Sequence, residues 1–159
     1  MAEFTGTPTG AQRRFAVLAS QFNLDVVETL VDGAVDALLR HGAVSDDVDV
    51  IWVPGAWELP IAARRLLASE RYHALIALGA VIRGDTPHFD YVAGEASRGL
   101  ARASEDFDVP IGFGLLTCDT KAQAEARAGG EHGNKGWDAA LAAMQMADLF
   151  DRLDASDED

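Results

Sequence analysis

Residues 74–82 read ALIALGAVI, nine positions without one polar side chain, bounded by His73 and Arg83. A strand of that composition must hide both faces. The arrangement that covers both faces of a strand is a parallel sheet with helices packed above and below it. This single run therefore narrows the fold to the α/β class before the rest of the chain is considered.

The flanking segments alternate accordingly. RFAVLAS (14–20) and VDVIWV (48–53) read as short strands, and PIGFGLL (110–116) as a fourth. Between them lie segments of helical period. In the first, Val27, Leu30, Val31, Ala34, Val35 and Leu38 form one face, with Asn23 placed as N-cap and Gly42 just past the end. WELPIAARRLLAS tolerates Pro60 only in a first helical turn. TPHFDYVAGEASRGLARASED places Phe89, Val92, Ala93, Ala96, Leu100 and Ala103 inward, and two more helices follow near 119–128 and 134–152. The order βαβαβαβαα predicts a parallel sheet with right-handed crossovers and helices on both faces. No internal repeat or low-complexity linker divides the chain. The expected organisation is one domain over 11–152, an N-terminal arm (1–10) and an acidic tail (153–159).

Charge and composition exclude several classes. The chain has 159 residues and a formal net charge of −13, which argues against nucleic acid as a partner. Six acids in DLFDRLDASDED face one arginine, Arg152, so the end of the chain is expected to be frayed and solvated. The apolar runs fall short of the roughly 18 residues of a membrane span, and MAEFTGTPTGAQRR lacks an apolar signal core. Together with a single cysteine, Cys118, these features predict a cytoplasmic protein with no membrane partner. His41, His73, His88 and His132 show no metal-ligand spacing, and there is no C-x-x-C, so no metal is expected. Phosphate-loop, nucleophile-elbow and dinucleotide motifs are absent.

In sheets of this kind, ligands sit beyond the carboxyl ends of the strands. Phe22, directly after the first strand, is an aromatic at that edge. In PGAWELP (54–60), small residues leave room for a flat ligand, with Trp57 or Phe22 to cover it; Glu58 in a first turn also suits the helix dipole. In RGDTPHF, Pro87 predicts N1, Thr86 the N-cap and His88 N2. Such a start is an anion site with an imidazole beside it, although ordinary capping accounts for the same residues. Asp85 would repel an anion unless its side chain turned away, leaving its backbone as the contact. Gly112 and Gly114 flank Phe113 and mark close approach by a ligand or another subunit. Arg127 ends a helix, where a cation is favoured in any case. Lys135 starts one, where a cation opposes the dipole.

Taken together, FN (22–23), VPGAWELP (53–60), ALGAVIRGDTPHFDYV (77–92), PIGFGLLT (110–117), QAEARAG (123–129) and NKGWDAA (134–140) closely resemble the lumazine synthase family, in family order and over residues 11–150. The resemblance implies a flavodoxin-like three-layer α/β/α sandwich with a four-stranded parallel sheet. It implies condensation of 5-amino-6-(D-ribitylamino)uracil with 3,4-dihydroxy-2-butanone 4-phosphate, giving 6,7-dimethyl-8-ribityllumazine, phosphate and water, without a cofactor. It casts His88 as general acid/base. Phe22, Ala56, Trp57, Glu58, Ala80, Val81, Ile82, Phe113 and Lys135 would contact the pyrimidine and ribityl chain, with Phe113 supplied by a neighbouring subunit. Asp85, Thr86 and Arg127 would bind the phosphorylated substrate; Asp85 departs from the neutral residue usual there. The family assembles as pentamers, and some members as sixty-subunit shells, with riboflavin synthase as a candidate partner. A non-catalytic lumazine- or flavin-binding or shell-forming paralogue is the alternative. A receiver module, argued from fold alone, lacks its paired acids after the first strand, where Gln21-Phe22-Asn23 stands.

Overall fold

A computed structural model describes residues 1–157. The strands β1 (Phe15–Ser20), β2 (Val48–Val53), β3 (Ala74–Ile82) and β4 (Ile111–Cys118) form one sheet in the order β2-β1-β3-β4, every neighbour parallel. The first seven residues of β3 are buried, as its two-faced apolar run requires.

Period-two alternation distributes the core. Phe15, Val17 and Ala19 of β1 point to one face, covered by α1 (Leu24–Arg40) and α5 (Lys135–Asp157) through Leu30, Leu38 and Met144. Ala16 and Leu18 point to the other, covered by α2 (Leu59–Ala68) and α3 (His88–Phe107) through Leu59, Ala63, Ala96 and Leu100. The result is the three-layer sandwich expected from the sequence. Short α4 (Lys121–Arg127) follows β4. It leads into an antiparallel hairpin, β5 (Ala128–Gly130) and β6 (Gly133–Asn134), where the sequence showed only a glycine-rich loop.

Several local expectations are corrected. Asn23 does sit at the start of α1, but it takes a left-handed conformation (φ 58°) and its side chain does not cap the helix. Asn and Asp tolerate that region because short polar side chains can bond locally; here Asn23 bonds across the sheet instead. Residues 56–58 form a 3₁₀ turn before α2, so Pro60 stands in the first turn of a helix that begins at Leu59. The regular part of α3 begins at His88, one position later than Thr86 as N-cap implies, and Pro87 occupies the boundary. The glycines around Phe113 answer to the chain itself. A Cβ on Gly112 would overlap the Ala139 carbonyl of α5, and one on Gly114 would overlap the Leu78 side chain. Finally, the acidic end is not frayed within the described residues, because α5 continues through Asp157.

The arm lies on this framework. The Thr7 N–H donates to Asp148 Oδ2 at 2.7 Å, and the Gly10 N–H donates to the His41 carbonyl at 2.8 Å. Buried Arg13 donates to Asp148 Oδ1 at 2.9 Å, so that one acid of the supposedly solvated stretch is buried.

Candidate active site

The carboxyl ends of β1, β2 and β3 converge on one cavity of about 700 Å³. Beyond β1, the ladder continues: the N–H groups of Gln21 and Phe22 donate to the carbonyls of Val53 and Pro54, at 2.8 and 3.1 Å. These bonds hold the turn that follows β1, in which the Phe22 ring is 70% exposed at the cavity rim. The next residue, Asn23, donates from Nδ2 to the Ala80 carbonyl at 2.9 Å, which ties the exit of β1 to the end of β3.

Beyond β2, Gly55 is extended and the 3₁₀ turn closes with Glu58 N–H donating to the Gly55 carbonyl at 3.2 Å. This turn buries Ala56 and leaves the Trp57 ring 58% exposed. Ala56, Trp57 and Glu58 all line the cavity, as do Ala80, Val81 and Ile82 from β3. The third wall is the start of α3. Thr86 Oγ1 accepts a long hydrogen bond from the His88 N–H at 3.4 Å, and both side chains line the cavity. The chemical composition follows: an apolar floor, aromatic surfaces to cover a planar ring, one carboxylate, one imidazole and a helix start that favours anions.

Gly55, Gly84, Phe89, Tyr91 and Val92 also line the cavity and were missed as site residues. A signal for two of them existed. Tyr91 and Val92 lie three and four positions after His88, hence on the same helical face. Phe89 and Val92, expected inward in the core, are half-buried where α3 turns toward the cavity.

The remaining sequence-predicted residues stand elsewhere on the chain. Asp85 is exposed and does not line the cavity. Phe113 is 50% exposed on β4, one of the two outer strands of the sheet, between two depressions of about 400 Å³ each; Lys135 lines one of them. Arg127 ends α4, its guanidinium donating to the Gln123 carbonyl at 3.0 Å. It lies close to the end of β4: burial pushes the Cys118 thiol up, and the Arg127 charge pulls it the other way.

Ion pairs tie the helix starts together at the same edge. Lys121 Nζ meets Asp25 Oδ2 at 2.8 Å, joining α4 to α1. That hydrogen bond holds the Asp25 carboxyl below the usual carboxylate range. Arg83 Nε meets Asp119 Oδ1 at 2.8 Å, joining the exits of β3 and β4. Among the described residues, no group of three or more His, Cys, Asp or Glu is placed to hold a metal ion. No helix among them is long and apolar enough to cross a membrane.

Comparison with known proteins gives the family of the chain. A family model described as 6,7-dimethyl-8-ribityllumazine synthase matches residues 12–151. A protein of Gemmatimonas aurantiaca named 6,7-dimethyl-8-ribityllumazine synthase is 65% identical over 160 aligned positions, covering 100% of this chain and 98% of the relative. One of the same name from Aquifex aeolicus is 50% identical over 153 positions, covering 96% of this chain and 99% of the relative.

Proposed function

Because the chain belongs to the 6,7-dimethyl-8-ribityllumazine synthase family and is a transferase of riboflavin biosynthesis, we propose that the cavity at the ends of β1, β2 and β3 is where its two substrates condense. The observation that carries this reading is the convergence of Phe22, Ala56–Glu58, Ala80–Ile82, Thr86 and His88 on a single cavity. These residues come from three separate junctions, and no one junction makes a site by itself.

The substrates are 5-amino-6-(D-ribitylamino)uracil and 3,4-dihydroxy-2-butanone 4-phosphate. In this reading the pyrimidine stacks beside Phe22, its edge read by backbone groups of Ala80 to Ile82. The ribityl chain runs along Ala56, Trp57 and Glu58. The butanone phosphate lies at the start of α3, where the Thr86 hydroxyl, the backbone around Asp85 and the helix dipole favour an anion. The amine adds to the ketone and loses water to give an imine. Phosphate then leaves, the resulting enol tautomerises to a carbonyl, and the second nitrogen closes the ring with loss of water. His88 moves protons in these steps, for which an imidazole is suited near neutral pH. Holding two reactive molecules together supplies much of the rate.

Phe113, Arg127 and Lys135 do not line the cavity of their own chain. We assign them to the cavity of a neighbouring subunit, with Arg127 on the departing phosphate. The outer position of β4 supports this assignment, since its exposed Phe113 sits on a face free to meet another copy. A contact of this kind, repeated head to tail, closes into a ring; the ring taken here is the pentamer that the family resemblance implies, and a sixty-subunit shell is built from twelve of them. The setting is cytoplasmic, and riboflavin synthase is the enzyme that would use the product.

Mixing the purified protein with both substrates tests the reading. Lumazine absorbance should appear together with one inorganic phosphate per product. A flat trace from folded, assembled protein would support a binding paralogue instead.

A further inference from the structure

Arg83 does not line the cavity, yet it touches the beginnings of both helices that carry the proposed chemistry. It is the first residue after β3. Its N–H donates to the Cys118 carbonyl at 2.9 Å, which seats its backbone between the ends of β3 and β4. From there the side chain reaches in two directions. Nε donates to Asp119 Oδ1 at 2.8 Å, and one terminal nitrogen reaches Asp90 Oδ1 at 3.4 Å. The guanidinium carbon lies 4.4 Å from the centroid of the Phe89 ring.

Each partner belongs to the start of one of these helices. Phe89 and Asp90 follow His88 in the first turn of α3, and Phe89 itself lines the cavity. Asp119 immediately precedes Thr120, the N-cap of α4, and its N–H donates to Gln123 Oε1 at 2.8 Å within that cap. Helix α4 has seven residues and buries only Ala124. Little apolar packing seats it, so polar ties at its start set where Arg127, at its far end, is carried.

The simpler role is a surface ion pair. The Arg83 side chain is 46% exposed, and isolated exposed pairs contribute little to stability. Stability is not what the geometry addresses, however. One planar group spans two elements and stacks on a third side chain, which a point charge cannot imitate. Small misplacements of reacting groups are costly in rate even where they are cheap in stability.

We propose that Arg83 is a positioning residue that holds the first turn of α3, with His88, in register with the start of α4, and thereby with Arg127, whichever subunit's cavity Arg127 serves. This rests on the roles given above to His88 and Arg127.

The test uses the full chain and the variants Arg83→Met, Arg83→Lys, Asp119→Asn and the double variant Arg83→Met/Asp119→Asn. Each substrate is varied separately, inorganic phosphate binding is measured without turnover, and melting temperature and assembled mass are recorded. Arg83→Met should raise the KM for the butanone phosphate about tenfold and weaken inorganic phosphate binding to a similar extent. The KM for the pyrimidine should stay within about twofold, with melting and mass unchanged. Arg83→Lys should recover only part of the loss, and the double variant should be no worse than Arg83→Met. Equal changes in both KM values, full recovery by lysine, or losses that follow melting temperature would overturn the inference. The phosphate measurement judges it separately from turnover: unchanged phosphate binding in Arg83→Met rejects Arg83 as a positioning residue even if lumazine forms normally. Absence of lumazine from the unsubstituted chain rejects the enzymatic reading instead.

Discussion

The side chain of Asn23 donates to the backbone carbonyl of Ala80 across 2.9 Å, joining the exit of one central strand to the end of the other. Phe22 and Ala80, which lie on either side of this bond, both line the cavity. The left-handed backbone of Asn23 is what brings the amide into reach. Asn23→Ala removes the bond and places alanine in a disfavoured conformation, at about 1 kcal/mol for each effect. Asn23→Gly removes the bond alone. Denaturant unfolding should therefore rank the native chain above the glycine variant, and glycine above alanine. Both variants should raise the KM for the pyrimidine. A glycine variant with native KM would show that the bond serves stability only.

His88→Ala should lower turnover without abolishing it. General acid–base groups typically contribute 10² or more, so a fall of about 10²-fold is expected. Residual rate comes from holding the two substrates together. Steady-state kinetics with saturating pyrimidine and butanone phosphate measures this directly, and unchanged turnover would remove His88 from the acid/base role.

The sheet and its three helical connections were legible because their periodicities are local. Residues 74–82 form β3 with the bounds read from composition alone, and the apolar positions of α1 are those of a 3.6-residue period. What escaped depends on groups far apart in sequence. Asn23 looked like a cap because nothing nearby reveals that Ala80 lies across the sheet. Gly112 looked like room for a ligand, whereas the Ala139 carbonyl of α5 occupies that room. The hairpin 128–134 escaped for the opposite reason, since glycine-rich strands carry no alternation to read. At the site, His88 and Thr86 could be found from helix-start chemistry, and Tyr91 and Val92 from its continuation along one face. Only the family resemblance set Phe113 apart, as a neighbouring subunit's contact; that Arg127 and Lys135 also lie off this cavity could not be read, because the order of strands and helices in space decides which edge they occupy.

Arg127→Ala should raise the KM of the butanone phosphate chiefly, by about ten- to a hundredfold, the range for losing a hydrogen bond to a charged group. The pyrimidine should bind almost normally. Assembly offers a sharper check. If His88 and Arg127 serve one cavity from different subunits, mixed assemblies of His88→Ala and Arg127→Ala chains regain intact cavities. About a quarter of the sites would be intact with random mixing around a ring. Failure to exceed the activity of the two separate variants would place both residues in the same subunit's cavity.

Asp148 should shape the acid limb of stability. It accepts from the Thr7 N–H at 2.7 Å, from Arg152 Nε at 2.8 Å and from Arg13 at 2.9 Å. The Thr7 bond first, then the two arginines, hold its carboxyl down to about 2 from an ordinary 3.8. The folded value lies below the unfolded one, so this stabilisation is complete above about pH 4 and is lost as pH falls through the folded value. Urea unfolding from pH 5 to pH 2 should therefore show a falling limb that Asp148→Asn flattens. At pH 7 the same substitution should cost about 3 kcal/mol, the lower end for breaking a buried pair, because Asp151 still meets Arg13. Removing residues 1–8 withdraws the Thr7 donor and should flatten the limb in the same way while leaving Arg13 paired. Parallel pH curves for all three proteins would show that the arm is not held through Asp148.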